Sequence, residues 1–127
     1  MMTRALAIII EDDLDIGIIF AKALNEADYE TEVIRDGTQA LARLSESVPN
    51  LIVLDLHLPG ANGATILEGL RKDSRFAATR VIVASADPRM AITLMRLADR
   101  VLIKPVSYKQ LRDMAKIYRA ALKIAAE

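Results

Sequence analysis

The chain's 127 residues are typical of one domain, long enough to bury most of its apolar surface without disulfides or metal ions. With no cysteine it can form neither a disulfide framework nor a thiolate metal site, which fits a reducing compartment. Its 17 basic and 17 acidic residues cancel, so the charge balance gives no indication of direct binding to nucleic acid or to an anionic membrane.

The first apolar run, Leu6–Ile10, stops at the acids Glu11–Asp13, which makes it too short and too acidic at its end for a signal peptide. No later run approaches the length of a membrane span. We therefore expect a soluble cytoplasmic protein without membrane contact.

Short apolar runs rich in β-branched residues are typical of strands buried on both faces of a parallel sheet. Four such runs occur, and a fifth, Glu30–Arg35, is more polar and is expected near a sheet edge. The five predicted strands are Leu6–Ile10, Glu30–Arg35, Leu51–Leu54, Val81–Ala84 and Val101–Ile103.

Apolar residues at helical spacing predict a helix after each strand. The predicted helices are Leu14–Ala27, Thr38–Ser47, Thr65 to about Asp73, Met90–Ala98 and Tyr108 to about Ala125. Asp12 or Asp13 could cap the first helix and Ser107 the last. The residues expected to face the core are Ile16, Ile19, Phe20, Ala23, Leu24 and Ala27 in the first helix, and Ala40, Leu41 and Leu44 in the second.

Strands and helices thus alternate five times, which predicts an α/β fold: one (βα)5 domain with a parallel five-stranded sheet between two helical layers. Right-handed crossovers bring all five strand carboxyl ends to the same edge of the sheet. Ligands of open α/β sheets bind at that edge.

Polar side chains follow four of the five strands. They are Glu11–Asp13 after the first strand, Asp55 after the third, Ser85 after the fourth and Lys104 after the fifth. Several carboxylates that close together repel one another, so the site requires a cation, and an all-oxygen ligand set favours Mg²⁺. A metal, a lysine and a hydroxyl suit the oxygens of a phosphoryl group, and a carboxylate beside it could attack phosphorus to form an acyl phosphate.

In this order the residues resemble a response regulator receiver domain of two-component signalling. The resemblance rests on the acidic pair Glu11–Asp12, on Asp55 in Leu-Asp-Leu-His-Leu-Pro-Gly, on Ser85 and on Lys104–Pro105, and it covers residues 1–127. It implies a flavodoxin-like three-layer sandwich with strand order 2-1-3-4-5.

For the metal, the resemblance implies Mg²⁺ or Mn²⁺ bound directly by Asp12 and Asp55 and through water by Glu11. The backbone carbonyl of His57 would complete the protein ligands. The simpler interpretations are that Asp12 only caps a helix and that the His57 side chain is a solvated loop residue.

For the phosphoryl group, the resemblance implies that Asp55 accepts it and that Lys104 pairs with the acceptor and then with phosphoryl oxygens. Ser85 would bond a phosphoryl oxygen and draw its loop inward. The Lys104–Pro105 peptide would be cis.

Three further positions bear on regulation. His57 and Asp87 flank the expected route of an attacking water and would modulate the phosphoryl lifetime. Val101 stands at the switch position, where the family usually has an aromatic residue, so the usual rotamer switch is absent and only the movement of Ser85 remains.

The resemblance also implies partners. A sensor histidine kinase or a phosphotransfer protein would donate the phosphoryl group, and a downstream protein effector or a fused output domain would receive the signal. The domain would act as a signalling switch, not as an enzyme on external substrates, and would not itself bind nucleic acid.

Three alternative functions are compatible with a strand followed by an acidic residue, and two of them conflict with the residues present. A phosphatase of the haloacid-dehalogenase type needs an aspartate where this chain has His57, and a flavodoxin-like cofactor carrier would have its phosphate repelled by Glu11–Asp13. A receiver-like module that binds its partner without phosphorylation is the second interpretation, because every residue of the phosphorylation site is retained.

Overall fold

The structure, a computed structural model, describes residues 4–126, with side chains described for residues 4–122. Five parallel strands form one sheet in the order β2-β1-β3-β4-β5, which confirms the predicted flavodoxin-like α/β fold. The strands are β1 (Ala5–Ile10), β2 (Tyr29–Ile34), β3 (Leu51–Asp55), β4 (Arg80–Ser85) and β5 (Arg100–Ile103).

A helix follows each strand, as the alternation of apolar patterns predicts. The helices are α1 (Leu14–Glu26), α2 (Gly37–Glu46), α3 (Gly63–Lys72), α4 (Pro88–Leu94) and α5 (Tyr108–Ala126), and a short 3₁₀ turn, Ser74–Phe76, follows α3. Asp13, and not Asp12, caps α1, since its carboxylate accepts the N–H of Ile16.

The sheet separates two apolar layers. On one face α1 and α5 pack on residues such as Ile9, Val53 and Leu102. On the other face the helices α2, α3 and α4 pack on Ile8 and Leu54 among others. β3 lies at the centre of the sheet and all five of its residues are buried, so the end of this strand is held on both faces and along both edges.

The more polar strand β2 lies at one edge of the sheet, as expected. Two side chains predicted to face the core are instead exposed, Ile19 by 48% and Leu41 by 49%. Both lie on the flanks of their helices: Ile19 borders a hollow beside Pro105, and Leu41 borders a groove that Gly69 leaves open.

Helix α4 is shorter than the predicted Met90–Ala98 and ends at Leu94. The segment after it is held by tertiary hydrogen bonds instead of helical ones. The Arg71 Nε donates to the Leu97 carbonyl at 2.7 Å, and the Arg71 guanidinium also pairs with Asp99 at 3.0 Å. The apolar pattern runs past the end of the helix because Leu97 and Ala98 still pack against the layer of α2, α3 and α4.

Candidate functional site

One rim of the sheet is formed by the carboxyl ends of the adjacent strands β1, β3, β4 and β5. Glu11 directly follows β1, Asp55 and Ser85 are the last residues of β3 and β4, and Lys104 directly follows β5. The parallel topology therefore brings together residues that lie 93 positions apart in the sequence, Glu11 and Lys104.

Three carboxylates share this rim. One oxygen from each of Glu11, Asp12 and Asp55 lies within 4.8 Å of the other two. Glu11 and Asp55 are only 1% and 3% exposed, whereas Asp12 is exposed to solvent. Two buried acids and one exposed acid thus form an open-sided cluster of oxygen donors.

The electrostatics of Glu11 reflect this crowding. Burial, and next the neighbouring Asp55 carboxyl group, raise the pKa of Glu11 to about 7. The Lys104 ammonium and the backbone N–H of Asp13, which donates to the Glu11 carboxylate at 3.2 Å, act in the opposite direction but do not cancel the rise. The site therefore holds negative charge at a cost that a bound cation would reduce.

Among the side chains that the structure describes, Lys104 supplies the one positive charge that directly contacts both buried acids. Its Nζ donates to Glu11 Oε1 at 3.0 Å and to Asp55 Oδ2 at 3.2 Å. Burial by itself would lower the pKa of Lys104, but the bonds and charges of the two acids outweigh it and raise that pKa, so the side chain stays protonated. The Lys104–Pro105 peptide bond is cis, and the Lys104 N–H donates to the Ser85 carbonyl at 2.9 Å.

Both oxygens of Asp55 are engaged. Oδ2 accepts from Lys104, and Oδ1 accepts the backbone N–H of His57 at 2.9 Å. The His57 side chain itself is exposed. The loop between β3 and α3 thus contacts the acceptor candidate through its backbone.

Ser85 lies on the same rim but is bonded within its own loop. Its side chain is fully buried, and its Oγ accepts the Asp87 N–H at 3.0 Å and donates to the Asp87 carbonyl at 3.3 Å. Asp87 in turn caps α4, because its carboxylate accepts the N–H of Arg89 at 3.0 Å. The hydroxyl is therefore linked to the start of α4. Val101, on β5, is partly buried among the side chains of the α2, α3 and α4 layer.

Two features of this rim were not predicted. An apolar hollow of about 470 Å³ borders Lys104 and is lined by Ile16, Ile19, Phe20, Pro105 and Val106. Gly63, the first residue of α3, lies against the backbone of Asp55. The Pro-, Asn- and Gly-rich composition of the turn after Asp55 is the only sequence signal for this second contact.

Within residues 4–126, no helix combines the length and apolar character that crossing a membrane would require.

Comparison with known proteins gives relatives that include response regulators and a sensor histidine kinase. The DNA-binding response regulator MtrA of Mycobacterium tuberculosis (strain ATCC 25618 / H37Rv) is 32% identical over 108 residues, which cover 85% of this chain and 47% of that protein. The sensor histidine kinase TmoS of Ectopseudomonas mendocina is also 32% identical over 108 residues, covering 83% of this chain and 11% of that protein. The chain spans about half the length of the MtrA proteins that it matches.

Solved structures of receiver domains and response regulators have the same fold as this chain. The receiver domain of the Francisella response regulator 1452 superposes with a TM-score of 0.82 at 26% identity, over 93% of this chain and 98% of that one. The chemotaxis response regulator CheY4 of Vibrio cholerae, at 23% identity and a TM-score of 0.81, shares the fold over 91% of this chain and 99% of that one. The sequence model of the response regulator receiver domain matches residues 7–116. The chain therefore belongs to the response regulator receiver domain family of two-component systems.

Proposed function

We propose that this receiver domain is a phosphorylation-controlled switch in which Asp55 accepts a phosphoryl group from a phosphohistidine. The observation that supports this most directly is the Asp55 carboxylate, buried at the end of the central strand with the Lys104 ammonium 3.2 Å from one oxygen. A carboxylate beside a fixed cation at the rim of an α/β sheet is suited to attack on phosphorus.

In the transfer, one oxygen of Asp55 forms a bond to phosphorus while the bond between phosphorus and the donor histidine nitrogen breaks. The histidine keeps the electron pair and takes up a proton from solvent. The product is an acyl phosphate on Asp55. Lys104 lies close enough to the carboxylate to shift its hydrogen bond onto a phosphoryl oxygen as charge accumulates there.

The acidic cluster fits Mg²⁺ or Mn²⁺, since it offers only oxygen donors and three of them lie within 4.8 Å of one another. Asp12 and Asp55 would hold the ion directly and Glu11 through water, and the His57 carbonyl would complete the set. When bound, the ion supplies positive charge against the carboxylates and the phosphoryl oxygens.

The response to phosphorylation is proposed to begin at Ser85. To bond a phosphoryl oxygen its hydroxyl must release the backbone of Asp87, which draws the loop before α4 inward. Because Val101 offers no aromatic rotamer, this loop carries the signal. His57 and Asp87 flank the path of an attacking water and set the phosphoryl lifetime.

Residues 1–127 are proposed to act as one receiver domain. The phosphoryl donor is a sensor histidine kinase or a phosphotransfer protein, and the signal passes to a protein effector or an output domain. A cytoplasmic location follows from the same proposal, because phosphohistidine is made at the expense of ATP. Binding of nucleic acid or membrane by this domain is not proposed, since its charges balance.

The proposal is tested by incubating the protein with acetyl phosphate and Mg²⁺ and measuring its intact mass, followed by peptide mapping. We expect a gain of one phosphoryl group on Asp55 that is lost in Asp55→Asn and after chelation of Mg²⁺. Asp13→Asn, which replaces a nearby carboxylate and keeps a capping side chain, should still be phosphorylated. A folded wild-type protein that gains no mass overturns the proposal and favours the alternative, a receiver-like module that binds its partner without phosphorylation.

A further inference from the structure

The loop between β3 and α3 returns onto the end of its own strand. Gly63, where α3 begins, lies so close to that strand that a Cβ atom would be 2.6 Å from the Asp55 carbonyl oxygen and 2.8 Å from the Leu56 Cα. Both atoms belong to the backbone, so no side-chain rotation could relieve such an overlap. Only a residue without a Cβ allows this approach.

The strand side of this contact has little freedom to move. β3 is hydrogen-bonded to β1 on one edge and to β4 on the other, and the Leu56 N–H continues the pairing by donating to the Ala84 carbonyl at 3.2 Å. A Cβ at position 63 would therefore displace the start of α3 and the loop before it, while the strand stays in place.

That loop is also held from its other side by a second glycine. The Gly37 N–H, at the start of α2, donates to the Pro59 carbonyl at 2.9 Å. A Cβ at Gly37 would overlap the backbone carbonyl of Ala61. The loop is thus packed closely at two glycines: Gly37 lies against its middle, and Gly63 at its end lies against β3. Little room is left for another backbone path.

The loop carries the group that contacts the acceptor candidate. Its His57 N–H donates to Asp55 Oδ1 at 2.9 Å and fixes one carboxylate oxygen, while Lys104 fixes the other. The proposed metal ligand from this loop, the His57 carbonyl, belongs to the same residue. A displaced loop would alter the backbone around Asp55 without changing any charged side chain.

We infer that Gly63 is a positioning residue for the acceptor site: its missing side chain sets the path of the β3–α3 loop and, through it, the placement of His57 against Asp55. The inference extends the proposed function and rests on it where Mg²⁺ binding is the readout. It assigns a role to a residue that carries no functional group.

The chain offers a matched control. Gly69 lies in the same helix α3, and a Cβ there would have no atom within 4 Å. Gly63→Ala and Gly69→Ala are thus the same chemical change, one against the acceptor strand and one into open space. Alanine at position 69 should also stabilise the helix, because it removes backbone freedom from the unfolded chain.

The experiment measures Mg²⁺ binding by titration calorimetry at a temperature where circular dichroism shows each variant to be folded. We expect Gly63→Ala to weaken Mg²⁺ binding about tenfold or more, the usual effect of disturbing the groups that orient metal ligands. Gly69→Ala should leave the dissociation constant within about twofold of wild type, as expected for a change distant from the ligands. In the metal-free protein, the amide resonance of His57 should shift in Gly63→Ala and stay in place in Gly69→Ala.

Each outcome bears on the inference. A folded Gly63→Ala protein with wild-type Mg²⁺ affinity and an unshifted His57 amide overturns it. If Gly63→Ala alone does not fold, the same measurements are made on the double variant with Gly69→Ala, which adds the helix stability expected of that alanine, and are compared with Gly69→Ala alone. Wild-type protein that binds no Mg²⁺ would count against the proposed function, whereas the metal-free His57 amide would still decide the role of Gly63.

Discussion

Among individual residues, Glu11 combines near-complete burial with a pKa raised to about 7 from an ordinary value of 4.5. Between these two pH values the unfolded chain has lost the Glu11 proton while the folded protein keeps it. The unfolded state then binds fewer protons, so the free energy of unfolding falls as pH rises through this window. Glu32 also has a shifted pKa, but it is lowered, so its contribution changes below this window.

We predict that metal-free wild-type protein is less stable at about pH 8 than at about pH 5, by an amount on the order of 3 kcal/mol from Glu11. Urea unfolding followed by circular dichroism at the two pH values measures this difference. Glu11→Gln cannot lose a proton and should remove most of the difference. An equal pH dependence in wild type and Glu11→Gln would show that another group is responsible.

Mg²⁺ should have the opposite effect on the pH dependence of the free energy of unfolding. A cation bound to the cluster favours the deprotonated carboxylates, so its stabilising effect should grow as pH rises through about 7. This direction agrees with the chemistry of the proposed ligands, because carboxylates bind a metal ion in their deprotonated form.

Among the secondary-structure elements, α4 is anchored differently at its two ends. At its start the Ser85 hydroxyl holds the backbone of Asp87, and beyond its end Arg71 holds Leu97 and Asp99. The first anchor is a single neutral hydroxyl, and the second is a charged guanidinium with several partners. The start of α4 is therefore the end more readily released.

We predict that Ser85→Ala loosens the start of α4, because the part-buried Asp87 N–H loses its partner, at a local cost of about 0.5 to 1.5 kcal/mol. Hydrogen–deuterium exchange of residues 86–91 should accelerate in the unphosphorylated protein, while residues 95–99 keep their wild-type rates. Thr93→Ala removes a hydroxyl within α4, which donates to the Arg89 carbonyl of the same helix, and serves as the control. Unchanged exchange at residues 86–91 would contradict the prediction.

The sequence predicts the elements well because strand and helix periodicities differ and alternate cleanly along the chain. It also predicts which polar residues follow the strands, and Glu11, Asp12, Asp55 and Lys104 do lie together at the rim. This follows from topology alone, since parallel strands end at the same edge.

What the sequence does not contain is the packing of one element against another. Helical spacing identifies the apolar face of α1 and of α2 but not how much of that face the neighbouring elements cover. Ile19 and Leu41 lie on the uncovered part and are exposed. The early end of α4 depends on Arg71, a residue of another helix. The close approach of Gly63 to Asp55 likewise exists only after the loop has closed.

In the whole molecule, two apolar layers share one sheet and cannot unfold separately without exposing it. Leu54 lies in the layer of α2, α3 and α4, and Leu111 lies in the layer of α1 and α5; both are fully buried. Damage to either layer should therefore destabilise the entire domain.

We predict that Leu54→Ala and Leu111→Ala each lower the free energy of unfolding by about 2 to 5 kcal/mol and that each variant still unfolds in a single transition. Urea titrations monitored by circular dichroism test both statements. Ile117→Ala, in the same helix as Leu111 but 68% exposed, should change stability by only about 0.5 kcal/mol. Two separate transitions in either core variant would show that the layers fold independently.

β3 is the middle strand of the five-stranded sheet. Asp55 stands on the most firmly supported part of the protein, with two strands on either side and helices above and below. A chemical change at Asp55 therefore leaves the central strands in place, so any conformational response must spread through the surrounding loops. The same fold can therefore bind unrelated partner proteins, each through a different part of the loops around the sheet.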